Sequence, residues 1–293
     1  MGPAPPLDSW YAHPMLANNP RAVVTGAASG LGRAIALQLG ARGGHVVVCD
    51  IDLGGAETTK QLVEAAGGRA HVERCDVAVA SDVEHLRDRA LAVLGGVDLV
   101  VNNAGVAVAG AIGTVPLANW EWIVGINLMG VVHGCHFFVP VLQAQGAGHV
   151  LNVASIAGVT FPPQMGPYCA TKAAVVALTE CLAGEVQGTG VGATVLCPYF
   201  FATGLHQTAR VDSARISAKQ LGSLMKKSKV QADEVARRAL QACDRNELYC
   251  FPHTEAKVLQ LLKRLSPRAV PVLLPRLEQL AKLWRPRARP SSR

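Results

Sequence analysis

Apolar residues fall into two alternating patterns along the chain. Short runs that are apolar at nearly every position, 22–25, 46–50, 70–75, 99–102, 150–154, 193–197 and 248–251, have the length and composition of strands. Between them lie longer segments with helical spacing, beginning near Leu31, Ala56, Asp82, Asn119, Tyr168 and Ala232. A strand that does not alternate is covered on both faces, and a helix after each strand supplies the cover. With right-handed crossovers this predicts one doubly wound α/β domain built on a parallel sheet of about seven strands. The pattern occupies residues 21–253. Residues 1–20 carry five prolines after Met1 and read as an irregular arm; they show neither the basic start nor the apolar centre of a signal peptide. No uninterrupted run of 18 apolar residues occurs, which argues against a membrane span.

Composition changes this picture mainly at the C-terminus. Half of the 293 residues are apolar, enough for one large core. The net charge is +7, yet the segment from Lys257 onward holds ten Lys/Arg against Glu278 alone, a net of +9, so the remainder of the chain is −2. The basic character therefore belongs to residues 254–293, a basic helical extension. Its leucines recur at helical spacing between basic residues, with Trp284 among them, and prolines 267, 271 and 275 keep any helix short. Two readings stand: a helix lying on an anionic membrane surface, or leucines packed on the domain or a partner subunit with the charges solvated. Nucleic-acid binding is unlikely, having charge as its only support. A second basic patch, Lys226, Lys227 and Lys229, reads as a solvated face. The eight cysteines are scattered without a C-x-x-C pair, and neither they nor the histidines show metal-ligand spacing. They predict reduced, mostly buried thiols, a cytoplasmic compartment and no metal site.

The chemistry sits at strand ends. The first strand runs into Gly26, Ser29, Gly30, Leu31 and Gly32 and then into a helix, an arrangement in which free N–H groups and the helix dipole receive a pyrophosphate. This identifies the domain as Rossmann-type. Asp50 closes the second strand, where a carboxylate accepts from the ribose hydroxyls of adenosine and repels a 2′-phosphate. Ser29 and Ile51 bring no positive charge there, and Arg33 is placed on the helix exterior, so NAD(H) is preferred and NADP(H) less favoured. Asp76, followed by Val77, is placed either to reach the adenine or to cap the next helix. Asn103, Ala104 and Gly105 give a small-residue turn after the fourth strand. Asn127 lies inside a long apolar helix and must satisfy its amide, by bonding backbone or by ordering a water toward Lys172. In the stretch 151–172, Ser155 ends a strand, and Tyr168 and Lys172 stand four residues apart on one helix face. A lysine there favours the phenolate, so the tyrosine can exchange a proton near neutral pH.

Together these motifs resemble the main Tyr-x-x-x-Lys branch of the short-chain dehydrogenase/reductase family, over roughly Arg21 to Phe251. The resemblance implies an oxidoreductase acting on a secondary alcohol or a ketone. It makes Tyr168 the general acid/base, Ser155 the group that orients the substrate oxygen, Lys172 the partner that lowers the tyrosine pKa and bonds the nicotinamide ribose, and Asn127 the support of a water relay. It also implies a homodimer or homotetramer joined through the helices beginning near Asn119 and Tyr168. Where the family usually has Pro-Gly, this chain has Pro198 and Tyr199, with Thr203 placed to contact the carboxamide. Phe161, Pro162, Pro163, Met165, Phe200, Phe201 and Leu205 predict an apolar pocket wall and hence a hydrophobic substrate, with the variable segment 203–229 over it. The alternatives are an NADP(H)-dependent carbonyl or 3-oxoacyl reductase and, in another class, a dinucleotide-sensing regulatory protein without catalysis.

Overall fold

The computed structural model describes residues 16, 18–199, 201, 209–212 and 230–267. Seven strands, β1 (Arg21–Thr25), β2 (His45–Asp50), β3 (Arg69–Arg74), β4 (Leu99–Asn102), β6 (Gly148–Val153), β7 (Val191–Leu196) and β9 (Tyr249–Cys250), form one parallel sheet in the order β3-β2-β1-β4-β6-β7-β9. The chain starts in mid-sheet, winds outward to β3, and returns to lay β4 beside β1. The carboxyl ends of β1 and β4 therefore lead their loops apart, and that divergence is where such sheets hold ligands.

The unbroken apolar strands have a direct cause. Val24, Val48, Val101 and Leu151 face one helical layer with Ile35 and Leu39 of α1 (Gly30–Ala41) and Leu240 of α8 (Ala232–Asp244). Val23, Val47, Val100 and Val150 face the other, with Leu86 of α3 (Ala80–Leu94) and Phe138 and Leu142 of α5 (Gly130–Gln145). Each fully buried aliphatic side chain contributes roughly 1.5–3 kcal/mol, so both faces are needed. The remaining helices are α2 (Leu53–Ala65), α4 (Leu117–Val124), the single turn α6 (Ala157–Thr160), α7 (Gly166–Glu185) and α9 (Thr254–Leu265). All seven predicted strands are present within about two residues of their expected starts.

Three features depart from the expectation. A two-stranded parallel ribbon, β5 (Val108–Gly110) with β8 (Arg210–Asp212), ties the loop after β4 to the edge of the variable segment. Leu117–Gln145 is a single helical run of 29 residues, long and apolar enough by length and composition to cross a membrane; here it covers the sheet against α3, β6 and α7. That run is interrupted by a π-helical turn, Gly125–Met129, with Asn127 at its centre. Six of the eight cysteines are buried, Cys135 is half-buried and Cys181 exposed, and all eight are free thiols.

Candidate active site

The glycine turn between β1 and α1 is held from below. Gly26 takes φ +64°, and a Cβ there would stand 2.7 Å from Ala104 Cα, so the turn lies against the loop after β4. Asn103 locks that contact: its Nδ2 donates to Thr25 O (2.8 Å) and Gly26 O (3.1 Å), while the N–H groups of Asn103 and Ala104 donate to Thr25 Oγ1. At the mouth of the turn Ser29 is the N-cap of α1 in extended conformation, with no side chain capping the first-turn N–H groups and no acid nearby in the turn. Such an end suits an anion.

Asp50 stands beside it, accepting from Ala28 N–H (2.9 Å) and Asp52 N–H (3.0 Å), which aims its carboxylate across the end of β2. Arg33 is not on the helix exterior. Its guanidinium turns under the loop and donates to Ala28 O, to Gly55 O (3.3 Å) and to Thr59 Oγ1 (2.9 Å), because three acceptors gather where α1 and α2 meet. Its positive charge is thus committed to backbone. Asp76 is not the cap of α3, whose N-cap is Val79 with no side-chain cap; its Oδ1 accepts from Ala78 N–H (3.0 Å) in the turn before the helix. The Val77 carbonyl accepts from His133 of α5 (2.9 Å).

At the ends of β4 and β6 the predicted reactive residues converge. A Cβ on Gly105 would lie 3.3 Å from Asn127 Oδ1 and 3.5 Å from Lys172 Nζ, so this glycine marks where the two side chains meet. Asn127 is fully buried; it accepts from Val106 N–H (2.8 Å) and donates to Val106 O (2.9 Å). Of the two uses foreseen, bonding backbone is the one present, but the backbone belongs to the loop after β4 rather than to its own helix. The π turn widens the helix to let the amide reach it.

Tyr168 and Lys172 lie on the inward face of α7, both buried, with Ser155 buried at the end of β6. Burial pushes the phenol up to about 12, against the opposing pull of a hydrogen bond with Ser155. Burial also brings Lys172 down to about 8, and its ammonium donates to Val153 O (2.7 Å). The expected downward shift of Tyr168 by Lys172 is therefore not what this environment gives: loss of solvent is the largest influence on both groups, opposed at Tyr168 by the Ser155 hydrogen bond and at Lys172 by Cys197. The Ser155 hydroxyl also accepts from Ala157 N–H (3.2 Å) at the start of α6.

The predicted pocket wall divides. Met165 packs with Tyr168, Ile123, Trp120 and Trp122, two tryptophans of α4 that the sequence reading did not single out although their aromatic character was the available signal. Phe161 instead turns outward to α9, where it lines a cavity of about 300 Å³ with Val159, Val176, Glu180, Tyr249 and Lys263. Phe201 is buried in the core beside His253, in one cluster with Val235 and Leu240 of α8. Tyr199 replaces the family's glycine without left-handed backbone; its N–H donates to His253 Nδ1 (3.2 Å), and Pro198 O accepts from Ile156 N–H (2.9 Å). Thr203, Phe200, Leu205 and the lysines 226, 227 and 229 lie outside the described residues.

Residues 20–214 match the family model described as short chain dehydrogenase. The chain belongs to the short-chain dehydrogenase/reductase family. Within that family it is 33% identical over 256 residues to the "Probable oxidoreductase EphD" of Mycobacterium tuberculosis, a match covering 84% of this chain and 43% of that protein, so the chain spans less than half of that relative's length. It is 31% identical over 249 residues to the CLA biosynthesis dehydrogenase/reductase of Lactiplantibacillus plantarum, covering 79% of this chain and 87% of the other. The crystal structure of a short-chain dehydrogenase/reductase from Burkholderia phymatum in complex with NAD superposes with a TM-score of 0.78 at 33% identity, covering 93% of this chain and 97% of that one.

Proposed function

We propose that this chain is an NAD(H)-dependent oxidoreductase interconverting a secondary alcohol and a ketone on a hydrophobic substrate. The observation that carries the reading is the approach of Asn127 and Lys172 to Gly105, with Tyr168 one turn before Lys172 on α7 and hydrogen-bonded to Ser155, beside a glycine turn whose helix end carries no side-chain cap. The nicotinamide, when bound, supplies the hydride; the protein supplies position and the proton. Gly26, Ser29, Gly30, Leu31 and Gly32 would hold the pyrophosphate, Asp50 the adenosine ribose, and Lys172 the nicotinamide ribose, with Asp76, Val77, Asn103, Ala104, Gly105, Pro198 and Thr203 completing the contact. Tyr168 gives its proton to the ketone oxygen in reduction and takes it from the hydroxyl in oxidation, while Ser155 donates to the same oxygen. Asn127 keeps the loop after β4 in place and supports a water relay from Lys172.

NAD(H) is favoured over NADP(H) because Asp50 repels a 2′-phosphate and the Arg33 guanidinium is engaged by Ala28 O, Gly55 O and Thr59 Oγ1. A hydrophobic substrate is favoured by the apolar surroundings of Tyr168, with Met165, Trp120 and Trp122 in the same cluster. Steroid, retinoid, terpenoid and long-chain 3-hydroxy compounds screened with NAD and with NADP test both parts. NADH formation with one of these classes is expected, together with NADH bound at least about tenfold more tightly than NADPH, the scale of one unscreened like-charge contact. Tighter binding of NADPH would overturn the cofactor assignment.

Two further properties belong to the same reading. The helical run Leu117–Gln145 and α7 join the chain to a second copy as a homodimer or homotetramer, since Met129 is exposed on a run already apolar beyond what one sheet face buries. The C-terminal extension attaches the protein to an anionic membrane surface from the cytoplasmic side. Its first helix supports this directly: on α9, Ala256, Gln260 and Lys263 face the domain, whereas Val258, Leu261, Leu262 and Leu265 form an exposed stripe at i, i+3, i+4, i+7, Leu265 being 76% exposed. Ala256 and the partly covered Leu259 are what α9 turns to the domain beside Gln260 and Lys263, so this stripe is apolar surface left over after that packing, flanked by the exposed Lys257 and Arg264.

A further inference from the structure

Between Ser155 and Tyr168 the chain makes the single turn α6 and then a bend without glycine at its strained positions. Phe161 at φ +56° and Gln164 at φ +66° both occupy the left-handed region. Each such residue costs on the order of 1 kcal/mol or more, and the conformation persists only where the surroundings impose it. On the inner side the constraints are visible. Gly110 N–H donates to Gln164 O (2.8 Å), Ile156 N–H donates to Pro198 O (2.9 Å), and α6 sits so close to α7 that a Cβ on Gly158 would stand 2.6 Å from the Lys172 carbonyl carbon. A shift of α6 therefore bears directly on the backbone that carries Lys172.

On the outer side the constraint comes from a residue about a hundred positions away. Lys263 of α9 donates to Val159 O, and its Nζ lies 3.3 Å from the centroid of the Phe161 ring. Val159 O lies at the C-terminal end of the single turn α6, and the Lys263 cation there satisfies it as a hydrogen-bond donor. The same cation fixes the Phe161 ring through its π face. Among the described residues Lys263 makes no ion pair with a carboxylate, so its charge is directed to these two acceptors.

We propose that Lys263 is a positioning residue for proton transfer: it clamps α6 and Phe161 against α7 and so fixes the placement of Ser155 relative to Tyr168, an inference that rests on the proton-transfer roles given to that pair above. The test compares Lys263→Met, Lys263→Arg and Phe161→Leu in the full chain. Hydrogen exchange of peptides covering 156–165 should quicken about tenfold in Lys263→Met, the scale of one lost charge-assisted hydrogen bond, while peptides covering 21–50 stay unchanged. Phe161→Leu should move the same peptides in the same direction, and Lys263→Arg, which keeps the charge, should lie closer to the native protein than Lys263→Met. With an active alcohol in hand, kcat should fall by a similar factor in Lys263→Met with NADH affinity retained. The exchange readout needs no turnover, so it stands even where the assigned reaction fails. Unchanged exchange in Lys263→Met, equal effects of Met and Arg, or acceleration spread equally over 21–50 would overturn the proposal.

Discussion

Burial shifts Lys172 and Tyr168 each toward its neutral form, and both shifts oppose the charge separation that proton transfer needs. The ordinary lysine value is 10.5, and burial lowers it here to about 8. Between those two values the unfolded chain binds a proton that the folded chain does not, so this group makes the fold more stable as pH rises from about 8 to 10.5 and is a burden below 8. Replacing Lys172 by Met should therefore raise the melting temperature at pH 7 while abolishing turnover; with a shift of this size the upper bound is about 3 kcal/mol, reduced by the lost bond to Val153 O. Thermal melts of both proteins at pH 7 and pH 10 check this, the two curves drawing together at the higher pH; a variant less stable at pH 7 would contradict it. Tyr168, raised to about 12, makes alcohol oxidation by the free enzyme climb with pH across the range above 7, since the base form is the scarce one. At this scale Ser155, Tyr168 and Lys172 are legible in the sequence because they fall within one short stretch, a strand end followed by a four-residue helical spacing. Their pKa directions are not, because burial comes from segments far away in the chain: Lys172 is buried against the ends of strands that are adjacent only in the folded sheet.

The elements show the same division. Strands and long helices follow from apolar runs and helical spacing, and the strand-end sites follow from them. The π turn at Gly125–Met129 does not, since nothing in the run around Asn127 marks a widened turn; its cause is the pair of bonds from Asn127 to Val106, a loop twenty-one residues upstream. Arg33 is misjudged from sequence for a related reason. Its acceptors, Ala28 O, Gly55 O and Thr59 Oγ1, meet only when α2 packs beside α1. Phe161 and Phe201 illustrate the limit of reading apolar residues near a site as its lining. One is drawn outward by a cation on α9 and the other inward by the core, and the hydrophobicity of a side chain does not say which neighbour claims it.

At the scale of the whole molecule the strand order reverses between β1 and β4, the switch point at which such sheets hold ligands, and the net positive charge of the sequence is carried by residues 254–293. Because α9, the first helix of the extension 254–293, carries Lys263, the chain used for comparison ends at Pro267 so that this helix is kept. The full chain should sediment with liposomes containing anionic lipid and less so with neutral ones, and the chain ending at Pro267 should bind less tightly, by about 1 kcal/mol per removed basic residue near the surface, while keeping what the leucine stripe of α9 supplies. Equal partitioning of both chains would contradict membrane attachment. Light scattering of the same pair should give a dimer or tetramer in each, and a monomer mass at micromolar concentration would contradict assembly through the long helical run and α7.

The central claim is that Tyr168 moves the proton in a nicotinamide-dependent alcohol–ketone reaction. Tyr168→Phe keeps the ring in its cluster with Met165 and Cys169 and removes only the hydroxyl. Measured with NAD and an alcohol that the native protein oxidises, the variant should bind NADH as the native protein does and show turnover reduced by at least about a hundredfold, the lower range for losing a general acid/base. Turnover unchanged by the substitution would contradict the account.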